Sequence, residues 1–321
     1  MDKDLFEQNP VIQRKRLNIL PEHPNSKEKG KAVAPGRFPK WLHRPSPKSN
    51  LLWKTQEILS KHHLPTVCEA AKCPNLLECW SKKTATFLAM GKSCTRNCGF
   101  CDIDFIKHPQ PLEPDEPIRL ANSAKALDLK HIVITMVARD DLSDGGAGHL
   151  IEIIRTVRKV NPKSSIEVLT SDFFGNKNAL KSILDENPDI FNHNIETVRE
   201  LTPRVRHRAT YDRTLDLLRS AKKHAPQSLL KSGFMVGLGE TDAQVRETIC
   251  DLYETGCQII TIGQYLQPTR TKLRVKRFVT PEQFQDYASY GNSIGIKHIY
   301  SGPFIRSSYN AASLFNAVKN I

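Results

Sequence analysis

The chain has 321 residues, 39% of them apolar, and 47 basic against 34 acidic side chains. That is enough for one barrel-sized domain or two ordinary ones, with a net charge of +13 that favours an acidic partner. No run approaches the ~18 apolar residues that span a bilayer, the N-terminus lacks a signal-peptide core, and Asp2, Asp4, Glu7, Glu22 and Glu28 argue against a transit peptide. The expectation is therefore a cytoplasmic protein with no membrane segment.

Residues 1–50 hold 11 Lys and Arg against 5 Asp and Glu, so nearly half of the positive excess lies there. They show little periodicity and read as a basic N-terminal arm. Within them Arg37-Phe38-Pro39-Lys40-Trp41-Leu42 places two aromatics in polar surroundings, as expected where an arm docks on a body. Lys27, Lys29 and Lys31 form a solvated stretch; with no dense basic block and no RNA-binding aromatic signature, nucleic acid is not expected as a partner.

Residues 51–83 read as partly helical. From 84 to 302 strand-like and helix-like runs alternate. The strand-like runs are Thr86–Met90, His131–Val137, Ile166–Thr170, Ile190–His193, Gly233–Val236, Gln258–Ile262 and Lys297–Tyr300; helix-like runs such as His149–Val160 and Asn178–Asp185 lie between them. Thr241 with Gln244 and Thr280 with Gln283 both fit capping boxes, Pro281 suits a first helical position, and Gly256 suits a helix stop. This alternation predicts an α/β fold, a partial (β/α)6 TIM-like barrel open on one side, with chemistry at the carboxyl ends of its strands. Residues 303–321 form a C-terminal segment. Polar clusters fall where strands end: Arg139–Asp144, Ser171–Asp172, Asn194–Glu196 and Gln264.

Six of the eight cysteines lie between Cys68 and Cys101. Cys94, Cys98 and Cys101 are spaced x3 then x2, with Phe100 before the last. Three thiols that close can cap three corners of a cubane iron–sulfur cluster and leave one iron open, as a catalytic metal site requires. A zinc ribbon would ask for paired C-x2-C knuckles and four ligands, and structural disulfides suit short secreted chains. Cys68, Cys73 and Cys79, spaced x4 and x5, follow no general motif, so their spacing alone leaves a cluster and a bland packing role both open. Cys250 and Cys257 read as small buried hydrophobes, and His62, His63 and His108 as surface or packing histidines.

The Cys94–Cys101 spacing resembles the signature of the radical S-adenosylmethionine superfamily. Together with C-x4-C-x5-C, Arg139-Asp140-Asp141-Leu142, Asp144-Gly145-Gly146-Ala147, Asn192–Val198, Lys231-Ser232-Gly233, Gly237–Thr241, Thr261–Leu266 and a terminal Arg306-Ser307-Ser308-Tyr309-Asn310-Ala311, the order of motifs from about Arg37 to Ala311 looks like that of the lipoyl synthase family. The resemblance implies two [4Fe–4S] clusters and S-adenosylmethionine. It puts the first cluster on Cys94, Cys98 and Cys101, and an auxiliary one on Cys68, Cys73, Cys79 and Ser308, with Arg306 holding or releasing the serine. Ser307 is then left to hydrogen bonding in the turn. Phe100 would lie beside the adenine, Gly145 and Gly146 at the amino or carboxylate end of the cofactor, and Asn194 and Glu196 toward its ribose or amino group. Each has a plainer reading: a core aromatic, a turn, a strand end with a helix cap, and a turn at the chain end.

The activity implied is radical insertion of sulfur at C6 and C8 of an octanoyl group on a protein lysine. The auxiliary cluster would be consumed as the sulfur source. The implied partners are octanoylated lipoyl domains of 2-oxoacid dehydrogenases and the glycine-cleavage H protein. An electron donor such as flavodoxin or ferredoxin and an iron–sulfur carrier protein would serve the clusters. A methylthiotransferase acting on RNA or protein and a metal-stabilised nucleic-acid-binding protein are the competing readings; the terminal serine motif argues against the first and the open three-ligand site against the second.

Overall fold

The computed structural model describes residues 38–44, 51–312 and 315. Seven parallel strands form one sheet: β1 (Thr86–Ala89), β2 (His131–Met136), β3 (Ser165–Leu169), β4 (Ile190–Asn192), β5 (Leu229–Val236), β6 (Ile259–Gln264) and β7 (His298–Gly302). They are ordered as in the chain, with Thr86 opposite Val133 at one edge and Ile259 opposite His298 at the other. That is barrel winding, since a doubly wound sheet reverses its order at a switch point. The edges β1 and β7 do not pair, so the barrel stays open, as the alternation predicts.

The sheet reads as continuous apolar runs because helices cover its outer face. All six residues of β2 (HIVITM) and of β6 (IITIGQ) are buried. Between the strands run α4 (Glu116–Ala126), α5 (Ala147–Val160), α6 (Lys177–Asp185), α7 (Thr202–Val205) with α8 (Tyr211–His224), α9 (Asp242–Glu254) and α10 (Pro281–Ser293). On α5 the buried residues Ala147, Leu150, Ile153, Ile154 and Val157 recur at helical spacing; each large one is worth about 1.5–3 kcal/mol against exposure. The three helices α1 (Leu51–Lys61), α2 (Val67–Ala70) and α3 (Leu76–Ser81) precede the barrel, and α1 packs on α3.

Two local expectations need correction. β5 starts at Leu229, four residues before the predicted Gly233, because Lys231 and Ser232 are fully buried in mid-strand. Lys231 Nζ lies 2.9 and 3.0 Å from the Glu167 carboxylate inside the barrel, where Asn192 Nδ2 also donates to it and His131 Nε2 lies 3.3 Å away. A buried lysine is affordable only when paired in this way. The second correction is at α10: Thr280 accepts from Gln283 N, but among the described residues the reciprocal bond of a capping box is found only at α9, between Thr241 and Gln244.

The arm is described only from Phe38 to Arg44, the rest of residues 1–37 and 45–50 lying outside the described residues. Phe38 meets Phe278 with ring centroids 5.7 Å apart, and Leu42 is buried. Near the other terminus Phe315 stacks on His131 and packs with Ile190 and Ile259, at the amino ends of the strands. No helix among the described residues is long and apolar enough to cross a membrane.

Candidate active site

The loop from Ser93 to Phe105 follows β1 and folds back so that Ser93–Cys94 pairs with Asp104–Phe105. Backbone bonds from three directions hold it over the carboxyl ends of the strands: Thr95 N donates to Ala138 O, Gly99 N to Val205 O, and Leu273 N to Gly99 O. Arg96, within the cysteine motif, is buried and forks onto Asp140 at 2.8 and 2.7 Å, with Asp172 at 2.5 Å. Burial opposes ionisation of Asp172, yet the Arg96 charge pulls its pKa down to about 2.

Beside Cys98 stands a second charged group. Asn194 Nδ2 donates to Glu196 Oε1 at 3.1 Å, and Arg206, itself buried, donates to Asn194 O at 2.6 Å. Burial raises the Glu196 pKa and lowers that of Arg206, and the Arg206 charge acts on both Glu196 and Cys98. Glu196 takes a left-handed backbone (φ 68°) while bridging Phe234, a strained conformation of the kind that clusters at functional sites. Asn194 Oδ1 is buried and accepts no hydrogen bond. An acceptor of that kind suits the hydroxyls or amino group of a nucleoside cofactor.

Gly145 and Gly146 sit between β2 and α5 with φ of 64° and 88°. A Cβ on Gly146 would meet Met90 Sδ at 2.5 Å, so the chain's own packing already demands glycine there. Phe100 packs against Val205, Leu238 and Tyr265. Gln264 is not free to bind: its amide donates to Val236 O, Tyr265 O and Arg277 O and accepts from Val279 N, bolting the end of β6.

The first trio rides on helices. Thr66 caps α2, which carries Cys68; Cys73 N donates back to Cys68 O; and α3 carries Cys79. The far end of the chain meets this segment. Asn75 Nδ2 donates to Phe304 O at 2.7 Å and Tyr309 Oη to Glu78 at 2.9 Å, while Arg44 binds Asn75 and Glu78 and lies 3.8 Å over the Phe304 ring. Gly263 on β6 lets this segment in, since a Cβ there would meet Ile305 O at 2.0 Å. Burial lowers the Arg306 pKa, and its Nη1 donates to Ile305 O at 2.7 Å. Ser307 and Ser308 occupy the two central positions of a turn closed by Tyr309 N donating to Arg306 O. No hydrogen bond from either hydroxyl is found among the described residues, so the turn does not need the Ser307 hydroxyl that sequence reasoning assigned to it.

No disulfide joins any of the eight cysteines. Burial pushes the thiols of Cys68 and Cys98 up to about 11, and those of Cys79 and Cys101 to about 12. Such thiols stay protonated unless a metal displaces the proton. Backbone hydrogen bonds from Thr86 and Ile103 nevertheless favour the thiolates of Cys68 and Cys101. Among the described residues no three His, Cys, Asp or Glu side chains converge on a single-ion site; a cubane asks for one thiolate per iron instead. The donor set fits two clusters and a nucleoside cofactor. Sequence reasoning placed Asp172 at a strand end but missed Arg96 and Arg206. Their signal is weak, because nothing in one sequence tells a buried arginine from an exposed one.

Residues 88–252 match the family model described as the Radical SAM superfamily. The chain is similar to the lipoyl synthase of Protochlamydia amoebophila (strain UWE25), 62% identical over 299 residues that span 92% of each chain. It is also similar to the lipoyl synthase of Chlamydia trachomatis serovar L2 (strain ATCC VR-902B / DSM 19102 / 434/Bu), 53% identical over 90% of this chain and 93% of that one. The crystal structure of methylornithine synthase (PylB) superposes with a TM-score of 0.52 at 13% identity, over 76% of this chain and 74% of that one, a likeness of fold.

Proposed function

The chain belongs to the lipoyl synthase family of radical S-adenosylmethionine enzymes, and on that premise we infer that it inserts sulfur at C6 and C8 of an octanoyl group attached to a protein lysine. The observation that carries this reading is the docking of the terminal serine segment on the first cysteine trio, through Asn75 with Phe304 and Tyr309 with Glu78, on a barrel whose loops hold the second trio over the ends of its strands.

In this reading Cys94, Cys98 and Cys101 hold one [4Fe–4S] cluster, and Cys68, Cys73, Cys79 and Ser308 hold the other. When bound, the first supplies the electron that cleaves S-adenosylmethionine, and the second supplies sulfur; acid–base side chains cannot break an unactivated C–H bond. The protein's own work is orientation and exclusion of water. Asn194 and Glu196 offer an acceptor and a carboxylate to the ribose or amino group of S-adenosylmethionine. Phe100 flanks the adenine, Gly145 and Gly146 bring backbone to the amino-acid end, and Arg206 offsets the charge of Glu196. Arg306 steadies Ser308 by charge-assisted hydrogen bonding when it serves as a ligand and frees it when it leaves.

The acyl carriers are lipoyl domains of 2-oxoacid dehydrogenases and the glycine-cleavage H protein, with the basic arm of residues 1–50 engaging their acidic surfaces. A flavodoxin or ferredoxin supplies electrons, an iron–sulfur carrier rebuilds the auxiliary cluster, and the setting is the cytoplasm. The test is anaerobic, reconstituted protein given dithionite, S-adenosylmethionine and an octanoyl-lysine peptide. Mass spectrometry should find two added sulfur atoms in the peptide. Protein that binds zinc and no iron, or a peptide that gains no sulfur, would overturn the reading.

A further inference from the structure

A buried ring of contacts at the end of β1 has no role so far. Met90 follows β1 directly and leads into the cysteine loop; it is buried and left-handed (φ 70°). A non-glycine residue keeps that backbone only where its surroundings over-determine it. Both carboxylate oxygens of Glu116, at the start of α4, accept from Met90 N, at 3.0 and 3.1 Å. His149, in the first turn of α5, donates from Nε2 to Glu116 Oε2 at 2.6 Å. Gly146 caps the same helix, and the Met90 sulfur fills the space that a Cβ on Gly146 would need. Met90, Glu116, His149 and Gly146 thus close a ring across β1, α4 and α5. The His149 and Glu116 side chains are 10% and 5% exposed, so water competes little for their bond. Asp144 folds the glycine turn itself, accepting from Gly146 N at 2.9 Å and Gly148 N at 2.7 Å, while the ring ties that turn to β1.

The ring joins two parts of the proposed site: the loop of Cys94, Cys98 and Cys101, and the Gly145-Gly146 turn. A ligand that bridges two such parts binds tightly when their separation is set beforehand, because ordering them on binding costs affinity. We propose that Glu116 and His149 are positioning residues that hold Met90 against Gly146, and so fix the glycine turn at the distance from the cysteine loop that S-adenosylmethionine spans. This deepens, and rests on, the reading that the cofactor's amino-acid end lies at Gly145 and Gly146 beside the first cluster.

The test is equilibrium dialysis of radiolabelled S-adenosylmethionine against full-length, anaerobically reconstituted enzyme, with iron content and the thermal unfolding midpoint measured beside it. Glu116→Gln keeps the side chain's shape and one acceptor for Met90 N; His149→Ala opens the ring and leaves both acceptors in place. Each should load full iron and bind S-adenosylmethionine about tenfold more weakly, as the loss of one charge-assisted hydrogen bond implies. Met90→Gly relieves the strained backbone and removes the sulfur that props Gly146. Adding Glu116→Gln to Met90→Gly should therefore change the Kd by about twofold or less. A lowered midpoint with an unchanged Kd in both single variants would overturn the proposal and make the ring a support of the fold alone. Iron loss in both would overturn it in favour of a support for the cysteine loop, and a full further loss of affinity on top of Met90→Gly would show that Glu116 does not act through Met90. Wild-type enzyme that loads iron yet binds no S-adenosylmethionine would sink the cofactor reading itself, and the ring's role with it.

Discussion

The two cysteine trios solve the same problem in opposite ways. Cys94–Cys101 lies in one loop, tied by backbone bonds to the loops after β2 and β4 and to Leu273, and by buried arginine–carboxylate pairs. Cys68–Cys79 is spread over two short helices, and its surroundings are completed by Arg44 from one end of the chain and Phe304–Tyr309 from the other. The contiguous trio depends on the barrel beneath it. The dispersed one depends on the closure of a contact spanning about 230 residues of sequence.

Cysteine replacement gives the sharpest separation. Changing Cys94, Cys98 or Cys101 to Ala should abolish reductive cleavage of S-adenosylmethionine, read as loss of 5′-deoxyadenosine and methionine by liquid chromatography. Changing Cys68, Cys73 or Cys79 to Ala should leave that cleavage detectable and remove thiolated product. Thiolated product from the second group would show that the dispersed trio is not the sulfur source.

Next in size is the serine turn. Ser308→Ala should keep near wild-type iron at first, since three thiolates remain, yet stall in sulfur insertion. Ser307→Ala should stay close to wild type, because its hydroxyl holds no bond in the turn. The reverse pattern in a side-by-side assay of iron and thiolated peptide would move the ligand to Ser307.

Stability should differ between the regions as well. Arg96→Ala takes from Asp140 and Asp172 their buried partner, leaving them only the more exposed Arg208 and Arg213, and should cost about 3 kcal/mol, measured by urea unfolding of metal-free protein. Arg44→Ala breaks a more exposed pair with Glu78 (side chains 31% and 28% exposed) and should cost about 1 kcal/mol or less. Equal losses would mean that both trios are anchored alike.

A pH slope offers a further comparison. Burial, reinforced by the Arg206 charge, lowers the His193 pKa from 6.5 to about 4, while its Nδ1–H donates to Thr170 O. Between those pH values the unfolded chain binds a proton that the folded chain refuses. Stability should therefore fall as pH drops from 6.5 toward 4, by about 1.4 kcal/mol per unit from this group. His193→Gln should flatten that part of the profile in unfolding midpoints, and an unchanged slope would assign it to other groups.

Much of this was readable in advance, for reasons that differ by residue. The runs at β2 and β6 announce themselves because a strand covered on both faces is apolar throughout. The Cys94 motif is legible because its ligands lie within eight residues. Lys231 misled because a lysine in a strand looks like a strand's outer boundary until Glu167, 64 residues earlier, is seen to pair with it. Arg206 gave no signal, since its 7% exposure is a property of the packed loop around it.

The sequence by itself determined the alternation that makes an open barrel, the helix starts at Thr241 and Pro281, and the family to which two cysteine trios and a terminal serine motif belong. These are local patterns, and local patterns follow from side-chain periodicity and backbone preference. Only the tertiary structure decided which charges are buried, that Lys231 reaches Glu167, and that Phe304 and Tyr309 meet Asn75 and Glu78. Burial and the pairing of distant residues are set by how the elements pack, and a one-dimensional pattern does not carry that information.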